Sequence, residues 1–253
     1  MLKHIRIPIL SLLLFSPYLV VAEDQPTIIA TGDWAPFTGK SLLNGGMLVE
    51  VVEAALKQTK HRYKIDYLPW KRAYKSLIEG NIAASFPWML TEERQKLFSI
   101  SDSIYKSTER FFVSKNFSID YKKDQDIKGL RVCLPLGWTQ APIQKFLDKK
   151  TLSLYQPKTE EDCFEAITLK RADLYSVNSI SGWEAIRKAG LKSSDFKILG
   201  PVIRENTFVL LASKEYKNSA ELIKDLNEGL RVIKNKGIYQ KIVDKHISAI
   251  QGK

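Results

Sequence analysis

The sequence predicts an α/β protein made of two lobes, between which the chain crosses twice. Apolar runs of strand length alternate with segments of helical period along most of its length, the pattern of a mainly parallel sheet covered by helices. The alternation stops at a polar stretch rich in Lys and Asp, residues 114–128, and then starts again. Near the end a further strand, residues 207–212, is followed by a pair of amphipathic helices.

In the first lobe, Thr27-Ile28-Ile29-Ala30 is a short buried strand that runs into the loop Thr31-Gly32-Asp33-Trp34-Ala35-Pro36-Phe37. Asn44-Gly45-Gly46 signals a turn, after which Met47, Leu48, Val51, Val52, Ala55 and Leu56 recur at helical spacing. Tyr63, Ile65 and Tyr67 alternate with Lys64 and Asp66, as in a half-exposed strand. Pro69 opens a helix whose apolar face holds Trp70, Ala73, Tyr74, Leu77 and Ile78, and Gly80 closes it. Residues 82–86 form a strand, Thr91 caps the helix that follows, and Phe111-Phe112-Val113 is the last strand before the first crossing.

In the second lobe, strands at 130–134, 152–155, 173–177 and 196–199 alternate with helices at 139–147, 159–170 and 179–189. Thr159 with Asp162 three residues on is close to a capping box. The second crossing falls at 200–206. Leu222, Leu226, Leu230 and Ile233 mark one final helix, Ile238, Ile242 and Val243 the other, with Gly237 between them. The expected division is 23–113 for the first lobe, 114–204 for the second, and 205–253 for the return to the first.

Residues 1–22 read as a leader and not as part of the fold. Lys3 and Arg6 make a positive start, an apolar stretch broken by Pro8 and Pro17 follows, and Val20-Val21-Ala22 offers small residues before a cut ahead of Glu23. That stretch is short for a membrane span. An exported, soluble chain is expected. The formal charge of +11 for the full sequence becomes +9 once Lys3 and Arg6 leave with the leader; it comes from scattered lysines, and this favours attraction of anionic ligands or an acidic membrane partner over nucleic-acid binding. Cys133 and Cys163 are the two cysteines, and an even count in an oxidising compartment predicts a disulfide.

Catalytic signatures are sparse. His4 leaves with the leader, His61 lies in a basic turn and His246 on the last helix, which does not build a Ser–His or Cys–His relay. Neither a His/Cys cluster at metal-ligand spacing nor a phosphate-binding glycine pattern is visible. No cofactor, no metal and no catalytic residue are expected.

The stretch Phe86-Pro87-Trp88-Met89-Leu90-Thr91-Glu92-Glu93-Arg94 organises the rest. Thr91 caps a helix, Glu92 and Glu93 fill its first turn, and Arg94 projects beside free backbone N–H groups, a fork suited to a carboxylate. The plainer alternative is a surface Arg94 paired with its neighbouring glutamates. Thr91-Glu92-Glu93-Arg94, followed by Phe98-Ser99 and then Tyr105, resembles the signature of the bacterial extracellular solute-binding proteins of family 3, periplasmic receptors of polar amino-acid ABC importers.

The resemblance implies two Rossmann-like lobes joined by a two-strand hinge, the type II periplasmic-binding-protein arrangement, with the last helices returning to the first lobe. It gives Arg94 the ligand's carboxylate and makes Trp34, in Asp33-Trp34-Ala35-Pro36-Phe37, an aromatic lid, with Phe37 in the core. Trp70 and Arg72, in Pro-Trp-Lys-Arg-Ala-Tyr, resemble a motif of orphan members that would set them at the border of the cleft, the alternative for Trp70 being a core residue of its amphipathic helix. Thr139, in Gly137-Trp138-Thr139-Gln140, falls where the family offers a hydroxyl and backbone N–H groups at a helix start, although Trp138 departs from the usual small residue. Asn178 stands where amino-acid binders place an aspartate for the α-ammonium, and Phe86, Pro87 and Trp88 replace the usual serines. These departures point away from a standard α-amino acid. The expected ligand is small, carboxylate-bearing and amino-acid-like. The expected partner is an inner-membrane ABC permease, the expected state a monomer, and the expected place the periplasm. The alternatives are a receptor for a sensor kinase or chemoreceptor, and a dehydratase on the same fold.

Overall fold

The computed structural model describes residues 26–60 and 62–251; the expected leader and His61 lie outside the described residues. The first strand–helix group comprises β1 (Thr27–Thr31), α1 (Met47–Leu56), β2 (Tyr63–Tyr67), α2 (Trp70–Ile78), β3 (Ala84–Met89), α3 (Glu92–Leu97) and β4 (Phe98–Ile100). The long strand β5 (Tyr105–Ser114) leads out of it. The second group comprises β6 (Arg131–Cys133), α4 (Gln144–Asp148), β7 (Ser153–Tyr155), α5 (Glu160–Thr168), β8 (Leu174–Asn178) and α6 (Ser179–Lys188). The chain returns through β9 (Phe196–Ser213) to α7 (Ser219–Asn235) and α8 (Ile238–Gln251).

Hydrogen bonding orders the strands β2-β1-β3-β9-β5-β8-β6-β7, with β4 also on β9. Within each group the strands are parallel, β1 to β2 and β3, and β6 to β7 and β8. Antiparallel pairing is confined to β5 and β9 and their neighbours. These two strands run beside each other from one group to the other. Residues 105–109 pair with 204–208 and residues 111–114 with 196–199, and the register breaks between Glu109 and Phe111. Gly200, opposite the break, has φ +66 and lies so close to Tyr121 that a Cβ there would be 2.3 Å from its ring, a conformation and an approach suited to glycine.

Phe111-Phe112-Val113, expected as the last strand of the first lobe, packs elsewhere. Phe111 and Val113 join Val132, Phe146 and Leu174, while Phe112 joins Phe164, Tyr175 and Phe196. The polar stretch 114–128 is a surface connection that inserts Tyr121 and Ile127 into that same core. Its polarity reports solvent, not a boundary. The helix expected at 139–147 is also shorter, starting at Gln144. Pro142 has no N–H to give and biases Ala141 away from helical angles.

Each group is covered on both faces. In the first, Ile29, Phe86 and Leu210 meet α1 and α7 on one side, and Ala30, Val209 and Leu211 meet Ala73 and Leu77 of α2 on the other. The closing helices pack against the first group. Leu222, Leu226, Leu230, Ile233 and Ile242 pack into its core, and His246 Nε2 lies 2.8 Å from Glu50 Oε2, with Lys245 on the same carboxylate. The backbones of α1 and α7 touch, because a Cβ at Gly229 would stand 2.1 Å from the Ala55 carbonyl oxygen. Gly229→Ala is therefore expected to destabilise by about 1 to 3 kcal/mol through overpacking, despite alanine's better helix propensity. An unchanged urea midpoint would show that the two helices separate freely.

In the second group Cys133 and Cys163 form a disulfide, joining β6 to α5 inside a core that both cysteines share. Helix α5 starts with the expected box: Asp162 N–H donates to Thr159 Oγ1 and Thr159 N–H donates to Asp162 Oδ2.

Candidate ligand-binding cleft

The expected site residues sit where parallel strands end. The Trp34 loop leaves β1, Trp88 lies near the end of β3 with Arg94 just beyond, the Thr139 loop leaves β6, and Asn178 closes β8. Open α/β sheets bind ligands outside these carboxyl ends.

The first-lobe wall is aromatic. The Trp34 loop is pinned by a Trp34–Thr38 bridge and by Thr38 Oγ1 donating to the Gly32 carbonyl at 2.7 Å. Trp34, half-buried, packs 4.3 Å from Phe37 and 4.9 Å from Phe208. Phe37 is fully buried, as expected. Trp70, at the start of α2, lies over Gly32, where a Cβ would come within 2.5 Å of its ring. Its Nε1 donates to the Asp33 carbonyl at 3.0 Å. Trp88 stands edge-on to Trp70 at 5.2 Å and meets Tyr74 at 5.1 Å, its own Nε1 donating to Ser85 Oγ.

Arg94 lies against this aromatic group. Its guanidinium carbon is 4.9 Å from the Trp88 ring centre and 5.8 Å from that of Tyr74, and Nη1 donates to the Met89 carbonyl at 2.6 Å. Thr91 Oγ1 accepts the Arg94 N–H and so caps α3. Among the described residues Arg94 makes no ion pair, so the neighbouring glutamates do not hold it. Asp33, Trp70, Trp88 and Arg94 are thus joined through direct contacts. Arg72 is not: it is exposed and forms no ion pair among the described residues.

The second-lobe wall differs from expectation at Thr139. This residue is exposed, and its Oγ1 accepts only the Ala141 N–H at 3.3 Å, capping a turn and not a helix. Beside it Trp138 and Leu136 are 43% and 67% exposed. Asn178 is 7% exposed and caps α6. Its Oδ1 accepts the N–H groups of Ile180 and Ser181 at 2.9 and 3.1 Å, and its Nδ2 lies near the Tyr105 hydroxyl without a hydrogen bond of good geometry. The residue therefore presents a donor, not the acceptor that an ammonium requires.

Sequence reading missed Glu109, Glu160, Tyr175 and Phe208. Glu109 lies opposite Asn178 on the neighbouring strand and opposite Arg204 on the other side. Burial pushes its carboxyl up to about 7, with Arg204 acting against the shift. Burial, then the charge of Glu161, pushes Glu160 up to about 7 as well. Burial raises Tyr105 to about 12, against the Asn178 amide. In the unfolded chain both glutamates ionise near 4.5. Between that pH and about 7 the folded protein holds more protons than the unfolded one, so stability falls as pH rises. The melting temperature of ligand-free protein is expected to drop from about pH 5 to pH 7, and the double variant Glu109→Gln/Glu160→Gln to flatten that slope. Equal slopes in the two proteins would contradict the assignment.

Two strand–helix groups, each covered on both faces and joined by the long antiparallel strands β5 and β9, make the type II periplasmic-binding-protein fold. The family model for bacterial extracellular solute-binding proteins, family 3, matches residues 27–249, and the chain belongs to that family. The histidine-binding periplasmic protein of Escherichia coli K12 is 23% identical over 160 residues, which are 62% of this chain and 61% of that protein's length. Substrate-binding domain 2 of Lactococcus lactis GlnP, in an open conformation, aligns with a TM-score of 0.72 and 18% identity over 89% of this chain and 96% of that domain. A histidine kinase sensor domain with similarity to periplasmic binding proteins aligns with a TM-score of 0.62 and 19% identity over 88% and 96% of the two chains.

Proposed function

We propose that the protein captures a small carboxylate-bearing, amino-acid-like molecule between its lobes in the periplasm and presents it, unchanged, to an inner-membrane ABC permease. It acts as a monomer. The observation that carries this reading is Arg94: a guanidinium at the carboxyl edge of β3, braced by Met89, Trp88 and Tyr74, with no carboxylate partner among the described residues. Such a fork accepts a carboxylate through parallel hydrogen bonds. Trp34, Trp70 and Trp88 supply apolar walls for the rest of the ligand, and Asn178 Nδ2 a donor from the far side. The relatives named for histidine binding and substrate binding support the amino-acid-like class.

The hinge of this reading lies where β5 and β9 change register, at Glu109–Phe111 and residues 199–204. The lobes close about that point. Mass spectrometry of the small molecule that copurifies with the mature protein identifies the ligand, and incubation should return it chemically unchanged. Small-angle scattering should then show a smaller radius of gyration on adding it back. Turnover would favour the dehydratase reading, and an unchanged radius at saturation would remove the closure. The likeness to a kinase sensor domain supports the second reading, in which the same closed state signals to a membrane receptor; capture by a permease or by a sensor separates the two.

A further inference from the structure

We propose that Trp138, on the turn after β6, is the residue by which the second lobe selects its ligand, and that this ligand carries a flat aromatic ring besides its carboxylate. The proposal deepens the reading of the cleft given above and rests on it for the carboxylate.

Leu136 and Trp138 are large apolar side chains, two residues apart and both exposed. They stand on a built turn. The Trp138 N–H donates to the Pro135 carbonyl at 3.1 Å, and Gly137 between them has φ +83, the geometry of a type II turn with glycine at its third residue. The turn is anchored on both sides of Pro135. Leu134 N–H donates to the Tyr155 carbonyl at 3.0 Å and Leu136 N–H to the Pro157 carbonyl at 2.8 Å. Tyr155 ends β7 and Pro157 lies just past it, so the turn sits over the carboxyl edge of the parallel strands β6 and β7. That is the edge at which open α/β sheets take their ligands.

An exposed tryptophan held in a fixed place gains free energy when an apolar partner covers it. The opposite wall sets what that partner is. Trp34, Trp70 and Trp88 are all half-buried there. Two of their indole N–H groups are already engaged, Trp70 Nε1 with the Asp33 carbonyl and Trp88 Nε1 with Ser85 Oγ. These two residues therefore offer ring surface and not donors, with the Arg94 guanidinium beside Trp88. A polar body gains little between such surfaces. A flat ring fills the space between Trp138 and the first-lobe indoles by offset or edge-on stacking, while its carboxylate reaches Arg94. Leu136 adds apolar cover at the ring's rim. Arylacetates and their heteroaromatic analogues are the class that meets both demands.

The test uses calorimetry on the mature parent, Trp138→Ala, Trp138→Phe and Arg94→Ala, with indole-3-acetate and phenylacetate as ring-bearing probes and glutarate as a ring-free one. At least one ring-bearing probe should bind the parent. Trp138→Ala should weaken it tenfold or more, about 1.4 kcal/mol, and make the heat-capacity change of binding less negative. Trp138→Phe should recover most of that loss, and glutarate should not distinguish Trp138→Ala from the parent. Melting of the ligand-free variants checks that each is folded. Equal binding of the ring-bearing probes by parent and Trp138→Ala overturns the proposal. Equal weakening of glutarate also overturns it, since the turn then serves closure and not the ring. So does the absence of binding by both ring-bearing probes at millimolar concentration, whatever glutarate does. Arg94→Ala tests the underlying reading separately: if it keeps a ring-bearing probe that Trp138→Ala loses, the carboxylate site fails and the ring site stands.

Discussion

Replacing Arg94 with alanine is expected to lower affinity for the copurified ligand by about 2 to 5 kcal/mol, the cost of removing one partner of a buried charge pair. The ligand-free fold should lose far less. Arg94 is half-exposed and contributes one hydrogen bond to Met89 and the faces of Trp88 and Tyr74, together about 1 kcal/mol. Arg94→Lys keeps the charge without the planar fork, and is expected to fall between parent and alanine variant. Calorimetry with the same ligand measures all three. Undiminished affinity in Arg94→Ala would place the carboxylate elsewhere and remove the basis of the proposed site.

Breaking the Cys133–Cys163 bridge is expected to cost about 3 to 4 kcal/mol in the chain-entropy account, since the bridge closes a loop over a sequence separation of 30. Both residues are fully buried in the core shared by Phe112, Phe164 and Tyr175. The double variant Cys133→Ala/Cys163→Ala keeps that core apolar and so isolates the cross-link. Urea melts should show a lower midpoint and a steeper dependence on denaturant, because the uncrosslinked denatured chain exposes more surface. The same midpoint with and without the bridge would mean that the native state does not depend on it. The effect belongs to the second lobe, so binding by the first-lobe residues Arg94 and Trp88 should outlast it under mild conditions.

Local patterns carried much of this molecule. Helical spacing at Met47, Leu48, Val51 and Val52, the Thr159–Asp162 box and the Thr91 cap all lie within a turn or two of chain, and each forms as its residues dictate. The polar stretch after Ser114 misled, because solvent exposure and lobe boundary leave the same mark in a sequence. Thr139 misled for another reason: Pro142 lies only three residues on, and it moved the helix start away from the hydroxyl.

The α/β class, the strand–helix alternation and the family motif ending in Arg94 follow from contacts between near neighbours in the chain, whose periodicity and chemistry are written in order. The cleft does not. Phe208 reaches Trp34, and Glu109 comes to lie beside Asn178, only through the antiparallel pairing of β5 with β8 and β9. Asn178 has its oxygen committed because helix α6 starts where β8 ends. Register and burial set these relations across long stretches of chain, and neither quantity exists until the strands have paired.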